Sequence, residues 1–198
     1  MTEIALARKP AFSPLDLQNR SLAWQIGAVI VGSLFLTLSS HISIPMKPVP
    51  VTMQTFAVLA IGAAYGPRLG LVTILGYLAI GALGWDVFAG SSAEANGIAY
   101  MAGSTGGYLV GYLLAVVALG AAARRGWDRT IAGTAAAFAI GTALIYIPGV
   151  LWLGVLYGFD QPILAWGLTP FLIGDALKAG LAALLLPGLW RLVGRARA

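Results

Sequence analysis

The chain has 198 residues, 59% of them hydrophobic and 10% charged, with a formal net charge of +5 and a mean hydropathy of +0.87. That much apolar surface does not fit inside one water-soluble core; at about 20 residues per crossing, the length allows roughly six membrane helices and no separate soluble domain. With no cysteine and a single histidine, His41, the composition excludes disulfides, iron–sulfur clusters, thiol catalysis and a multi-histidine metal site.

Residues 1–20 are mixed and polar, without an apolar core before a small-residue cleavage site. They read as a cytoplasmic N-terminal segment, and the first span, about 22–42, as the insertion signal. Within that span Ala28 and Gly32 stand four residues apart, a spacing that lets another membrane helix, of this chain or of a partner, approach closely. The stretch 44–56, Ile-Pro-Met-Lys-Pro-Val-Pro-Val-Thr-Met-Gln-Thr-Phe, contains Pro45, Pro48 and Pro50. It cannot be regular helix and is expected to cross the outer face as an extended strap. Thr52, Gln54 and Phe56 follow where the next helix begins, and Thr52 reads equally as a cap or a ligand contact.

Short spans are predicted at about 51–65 and 69–84, divided by Gly66-Pro67-Arg68. The next outer loop, 85–104, is the longest and reads as a functional lid or a solvated connector. Near its end Asn96 and Tyr100 offer hydrogen bonding and stacking. Gly103, Gly106 and Gly107 permit close backbone approach at a helix amino terminus, where free N–H groups favour an anionic group. Further spans are predicted at about 105–123, 130–156 and 164–190. The aromatics Trp85, Phe88, Tyr108, Tyr146, Trp152 and Trp166 can line a pocket or anchor in the membrane interface.

This division segregates the basic residues. Arg8, Lys9, Arg20, Arg68, Arg124, Arg125, Arg129, Arg191, Arg195 and Arg197 fall on one side and only Lys47 on the other, which predicts both termini in the cytoplasm. The acidic residues Asp86, Glu94 and Asp160 fall in outer loops. Scattered at the edges of apolar stretches, the positive charges form no nucleic-acid patch.

The sharpest signal lies in Thr-Pro-Phe-Leu-Ile-Gly-Asp-Ala-Leu-Lys-Ala-Gly, where Asp175 and Lys178 are the ionisable side chains placed well inside a span. Three residues apart, they share a helix face, and they can simply neutralise each other. Intramembrane charges more often mark a substrate path. Read functionally, the carboxylate accepts ligand N–H groups and the ammonium donates to a ligand oxygen in a low-dielectric pocket, a set suited to a polar heterocycle. Thr169 and Pro170 read as N-cap and first helical residue, which puts Asp175 one to two turns below the outer surface. The sequence has no Walker-type nucleotide loop, serine–histidine pair or paired-carboxylate constellation, so energy input is expected from elsewhere.

Three segments together resemble the BioY family, the biotin-specific S components of energy-coupling factor transporters: 44–56, the Ser-Thr-Gly-Gly-Tyr-Leu within 103–109, and 170–180 with Gly-Asp-Ala-Leu-Lys. The resemblance extends from about residue 34 to 187. It implies an all-α integral membrane protein with a six-helix S-component bundle, forming one membrane domain in a bacterial cytoplasmic membrane. It further implies biotin capture from the outer side, and assembly with a transmembrane T subunit and two ATPases, without a cofactor of its own. By the same resemblance Asp175 and Lys178 are ligand contacts and Asn96 and Tyr100 further ones, with the Thr52–Phe56 strap beside the ring system; Gly106, Tyr108 and Tyr146 complete the candidate set. Ser104 stands where many relatives are expected to carry proline. The alternatives are an S component for thiamine or riboflavin, an intramembrane enzyme acting on a lipid, and a structural protein in which Asp175 and Lys178 are only an internal ion pair.

Overall fold

The computed structural model of the chain describes residues 17, 20–91 and 95–197, with side chains described except at 189 and 192–197. Most of the N-terminal segment 1–20, including Arg8 and Lys9, therefore lies outside the described residues, as do Glu94 and the side chains of Arg195 and Arg197. The chain runs through α1 (Leu22–His41), β1 (Ser43–Ile44), β2 (Val51–Thr52), α2 (Gln54–Ala82), α3 (Gly97–Met101), α4 (Gly106–Arg124), α5 (Ile131–Tyr157), α6 (Ile163–Gly167) and α7 (Leu172–Arg197). Single 3-10 turns at Trp127–Arg129 and Thr169–Phe171 precede α5 and α7. Among the described residues, five helical stretches are long and apolar enough to cross a membrane.

One of the five is a hairpin. Gly66 has φ 77° and ψ 174°, a left-handed backbone that glycine adopts without strain, and Pro67 follows it. A Cβ built on Gly70 would lie 3.7 Å from the Cα of Gly62, whereas residues eight apart in a straight helix are separated by about 12 Å. The arms 54–65 and 67–82 of α2 therefore lie side by side, which accounts for two short apolar stretches around Gly66-Pro67-Arg68.

Small residues set how closely the helices approach. A Cβ at Gly32 on α1 would fall 2.6 Å from Thr73 Cγ2 and 3.0 Å from Tyr65 Cε2, so α1 docks against both arms of α2. Ala28, one turn earlier, is buried as well. A Cβ at Gly111 on α4 would meet the Cα of Ile145 at 2.6 Å, which brings α4 and α5 nearly backbone to backbone. Leu36, Val58, Ile74, Tyr77, Val116, Leu119, Phe138, Ile145 and Leu153 fill the space between helices, while Trp24, Ile30, Val31, Leu34, Leu151, Val155, Ile173, Leu177 and Leu184 face outward. Helices apolar on both faces suit a lipid surround.

At one end of the bundle the proline-rich strap is closed at its base by the antiparallel pairs Ser43 with Thr52 and Ile44 with Val51. The start of α7 departs from the sequence expectation. Thr169 does not cap a helix; Pro170 lies in the 3-10 turn after α6, and Thr169 Oγ1 donates back to the Leu164 carbonyl at 3.2 Å. Helix α7 starts only at Leu172, so Asp175 lies in its first turn. Pro170 lacks an N–H and fits a first turn, but the chain is still leaving α6 at Leu168 (φ −132°, ψ −58°), which delays regular helix.

The other end carries Arg20, the Arg68 turn, the 125–130 connection and the end of α7. There Asp128 is buried, one carboxylate oxygen accepts the Trp190 indole N–H at 2.6 Å, and Oδ1 has no hydrogen-bond partner. Burial pushes its carboxyl above the usual carboxylate range. Thr130 caps α5 by accepting the Gly133 N–H at 3.1 Å.

Candidate functional site

Asp175 and Lys178 are each only 8% exposed. The Lys178 ammonium donates to Asp175 Oδ1 at 2.8 Å, to Thr55 Oγ1 at 2.8 Å and to the Thr52 carbonyl at 2.7 Å. Asp175 Oδ1 also accepts the Thr55 hydroxyl at 3.2 Å, and Oδ2 accepts the Tyr146 hydroxyl. An ammonium has three donors, and all three are satisfied here. The separation of three on α7 thus brings the two charges together, and the first turn of α2 and the middle of α5 close around them. A ligand oxygen reaching Lys178 has to replace one of these protein acceptors.

Beside this network lies a narrow pocket, about 450 Å³ with open space included, lined by Val49 and Pro50 of the strap, by Thr52, Gln54 and Thr55, and by Ala89, Tyr100, Thr105, Tyr108, Leu109, Tyr112, Tyr146 and Phe171. Thr52, Thr55 and Tyr146 belong both to the pocket wall and to the ion-pair network, so the charges lie just behind the wall. Lys178 also borders a lateral apolar groove between the base of the strap and α7, with Ile44, Val51, Leu177 and Leu181.

The wall itself is held by buried hydrogen bonds. Gln54 donates to the Tyr77 hydroxyl and accepts from Tyr112 at 3.1 Å, while Tyr77 donates to the Val87 carbonyl at 2.7 Å. Tyr108 donates to the Gly167 carbonyl at 2.8 Å. Tyr100 donates to the Ala89 carbonyl at 2.7 Å and stacks on Phe88 with ring centroids 4.8 Å apart. Loop 85–91 is therefore anchored inward through Val87, Phe88 and Ala89, all buried. The hydroxyls of the pocket-lining Tyr108, Tyr112 and Tyr146 are each used as donors to the protein, which leaves their oxygens as the groups able to accept a ligand N–H.

A model of the BioY family matches residues 12–195. The chain belongs to the BioY family. A protein named probable biotin transporter BioY from Pyrococcus horikoshii is 37% identical to it, over 77% of this chain and 90% of the relative. The biotin transporter BioY of Thermotoga maritima is 31% identical, over 76% of this chain and 86% of its own length. A crystal structure of the S-component for biotin from an ECF-type ABC transporter superposes with a TM-score of 0.69 over 87% of this chain and 95% of the other, at 20% identity, and shares the fold.

Of the residues singled out in this BioY family member, Thr52, Gln54, Tyr100, Tyr108 and Tyr146 line the pocket, and Asp175 and Lys178 stand directly behind it. Thr52 is also a local brace, since its hydroxyl accepts the Gln54 N–H at 3.1 Å. Phe56, Asn96, Gly106 and Gly107 are not brought to the wall. Phe56 turns toward Phe138, with ring centroids 6.3 Å apart. Gly106 sits where a Cβ would strike the Met101 carbonyl, so it serves the packing of α3 on α4, and Gly107 faces the α5 backbone at Pro148 and Gly149. Asn96 is an exposed residue preceding α3 and makes no side-chain cap bond. Ala28 and Gly32 lie in the first half and at the middle of α1, away from the pocket wall, with Gly32 against α2.

Thr55 and Tyr112 escape the sequence reading, although each carries a signal. Thr55 stands between Gln54 and Phe56 in the strap-to-helix stretch already singled out, and Tyr112 follows Tyr108 by four, a spacing that shares a helix face. Among the described residues, no group of three or more His, Cys, Asp and Glu side chains could hold a metal ion.

Proposed function

We propose that this chain is the substrate-binding S component of a biotin uptake transporter, capturing biotin from the outer side of a bacterial cytoplasmic membrane and working with a transmembrane T subunit and two ATPases. The observation that carries the reading is the buried Asp175–Lys178–Thr55–Tyr146 network set against a pocket of tyrosines. Biotin's ureido ring offers two N–H donors and one carbonyl. The tyrosine oxygens and Asp175 suit the donors, and Lys178 suits the carbonyl once one of its three protein acceptors is released. Thr52, Gln54, Thr55, Tyr100, Tyr108, Tyr112 and Tyr146 form the wall around the ligand in this reading. Asn96 contributes at the outer mouth, and Phe56 and Gly106 act by packing.

Counting both arms of α2 as crossings gives six. The end bearing Arg20, Arg68, Arg124, Arg125, Arg129 and Arg191 is then cytoplasmic, with both termini there and the strap outside. Ala28 and Gly32 are taken up by the contact of α1 with α2, so a partner helix in this reading packs on the exposed face of α1 at Ile26, Ile30, Leu34 and Leu38.

Sealed vesicles test the sidedness. Right-side-out vesicles bearing the chain are expected to bind labelled biotin saturably without ATP, and inverted vesicles to do so only after permeabilisation. Equal binding by sealed inverted vesicles would overturn capture from the outside.

A further inference from the structure

The pocket does not end at its mouth. Outside it lies a larger vestibule of about 750 Å³, open space included, which shares Pro50, Ala89, Tyr100 and Thr105 with the inner pocket. Those shared residues form the neck between the two spaces. On one side of the neck is the strap, with Pro45, Met46, Pro48 and Pro50 on the vestibule and Val49 buried over the inner pocket. On the other side is the turn from α3 to α4, with Tyr100, Gly103, Ser104 and Thr105. Anything that passes from the vestibule to the inner pocket passes between strap and turn.

Ser104 stitches those two sides together, its hydroxyl donating to the Pro48 carbonyl at 2.6 Å. The direction of the bond follows from the strap's chemistry: Pro45, Pro48 and Pro50 have no N–H, so the strap offers carbonyls there and the donor has to come from the turn. The turn is itself well held, because the Trp152 indole N–H donates to the Gly103 carbonyl at 2.8 Å and Tyr100 is anchored to Ala89. The strap is braced at its base by β1–β2 pairing and by the Met53 N–H on the Ile42 carbonyl at 3.0 Å. Base and turn are therefore fixed, and the Ser104 bond closes the span between them.

We infer that Ser104 is a positioning residue that latches the strap across the neck and sets how fast ligand exchanges without setting how tightly it binds. The inference rests on the proposed reading of the inner pocket as the biotin site. Ser104 is absent from the inner wall, so its bond stabilises the closed strap equally with the pocket filled or empty. Removing it raises the open fraction in both states, so the association and dissociation rates rise together and their ratio stays put. Loss of one neutral hydrogen bond corresponds to a factor of about 2 to 10 in each rate.

The test uses the purified full chain and its Ser104→Ala and Ser104→Thr variants, with biotin association and dissociation followed by stopped flow, and with hydrogen exchange at the Val49 amide, inside the strap, measured without biotin. In Ser104→Ala both rates and the strap exchange are expected to rise by about 2- to 10-fold with Kd changed less than about 2-fold, and Ser104→Thr, which keeps the hydroxyl, to restore wild-type values. Unchanged rates with unchanged strap exchange would overturn the latch. So would a change in Kd carried by dissociation alone, since that marks a direct ligand contact. Faster strap exchange in Ser104→Ala alongside a folded wild type that binds no biotin would support the latch and overturn biotin as the ligand, so the two ideas fail separately.

Discussion

Replacing Lys178 by methionine is expected to weaken biotin binding by about 10- to 100-fold, the value of a charge-assisted hydrogen bond in a buried site, and to destabilise the fold by about 3–5 kcal/mol. Methionine fills the volume of the lysine stem, so the cost comes from what the ammonium leaves behind. Asp175 would keep the Tyr146 and Thr55 hydroxyls but lose its counter-charge, and the Thr52 carbonyl would lose its donor. A buried carboxylate without a counter-charge is expensive even when hydroxyls still donate to it. The double variant Asp175→Asn with Lys178→Met separates structure from recognition. It removes both charges, so thermal unfolding in detergent is expected to recover most of the lost stability while biotin binding stays lost. Recovery of binding along with stability would show that the pair only holds the wall together.

Gly111→Val tests the wall from a different direction. A Cβ there would meet Ile145 Cα at 2.6 Å, Ile145 O at 2.7 Å and Leu144 O at 2.9 Å, all backbone atoms that cannot turn aside. The substitution therefore drives α4 and α5 apart. Tyr108 and Tyr112 ride on α4 and Tyr146 on α5, with the Tyr108 and Tyr146 ring centroids 5.9 Å apart, so separating the helices pulls the Tyr146 hydroxyl off Asp175 and opens the pocket. A loss of about 2–4 kcal/mol in stability is expected from overpacking at a site that cannot relax, with biotin affinity falling by at least about 10-fold. Gly27, where a Cβ meets nothing within 4 Å, is the control, and Gly27→Val is expected to leave binding unchanged. Wild-type biotin affinity in Gly111→Val would show that the α4–α5 spacing does not set the pocket.

Much of this architecture is written in the chain at short range. Long apolar runs, Gly66-Pro67 as a break and three prolines between Pro45 and Pro50 each impose a local geometry whatever surrounds them, and the hairpin and the strap are what such residues produce. Asp175 and Lys178 were legible for a related reason, since two charges in an apolar helix have few places to go. What closes around them was less legible. Thr55 reaches Asp175 across 120 positions of sequence and Ser104 reaches Pro48 across 56, and a hydroxyl carries no periodic signal that says which distant carbonyl or carboxylate it will meet. The start of α7 was misplaced because Thr169-Pro170 has the local chemistry of a helix start, while the packing of α6 delays the helix to Leu172. Gly106 and Gly107 read as an anion cradle because helix starts bind anions, yet their backbones are pressed against Met101, Pro148 and Gly149. Small residues serve both ends, and only the neighbours decide.

The central claim is that this pocket selects biotin, and equilibrium binding of labelled biotin to the detergent-purified chain, without any partner subunit, tests it most directly. Saturable binding to one site, displaced by unlabelled biotin but not by thiamine or riboflavin, is the predicted result; no binding in a sample that still unfolds cooperatively, or displacement by either other vitamin, would contradict it.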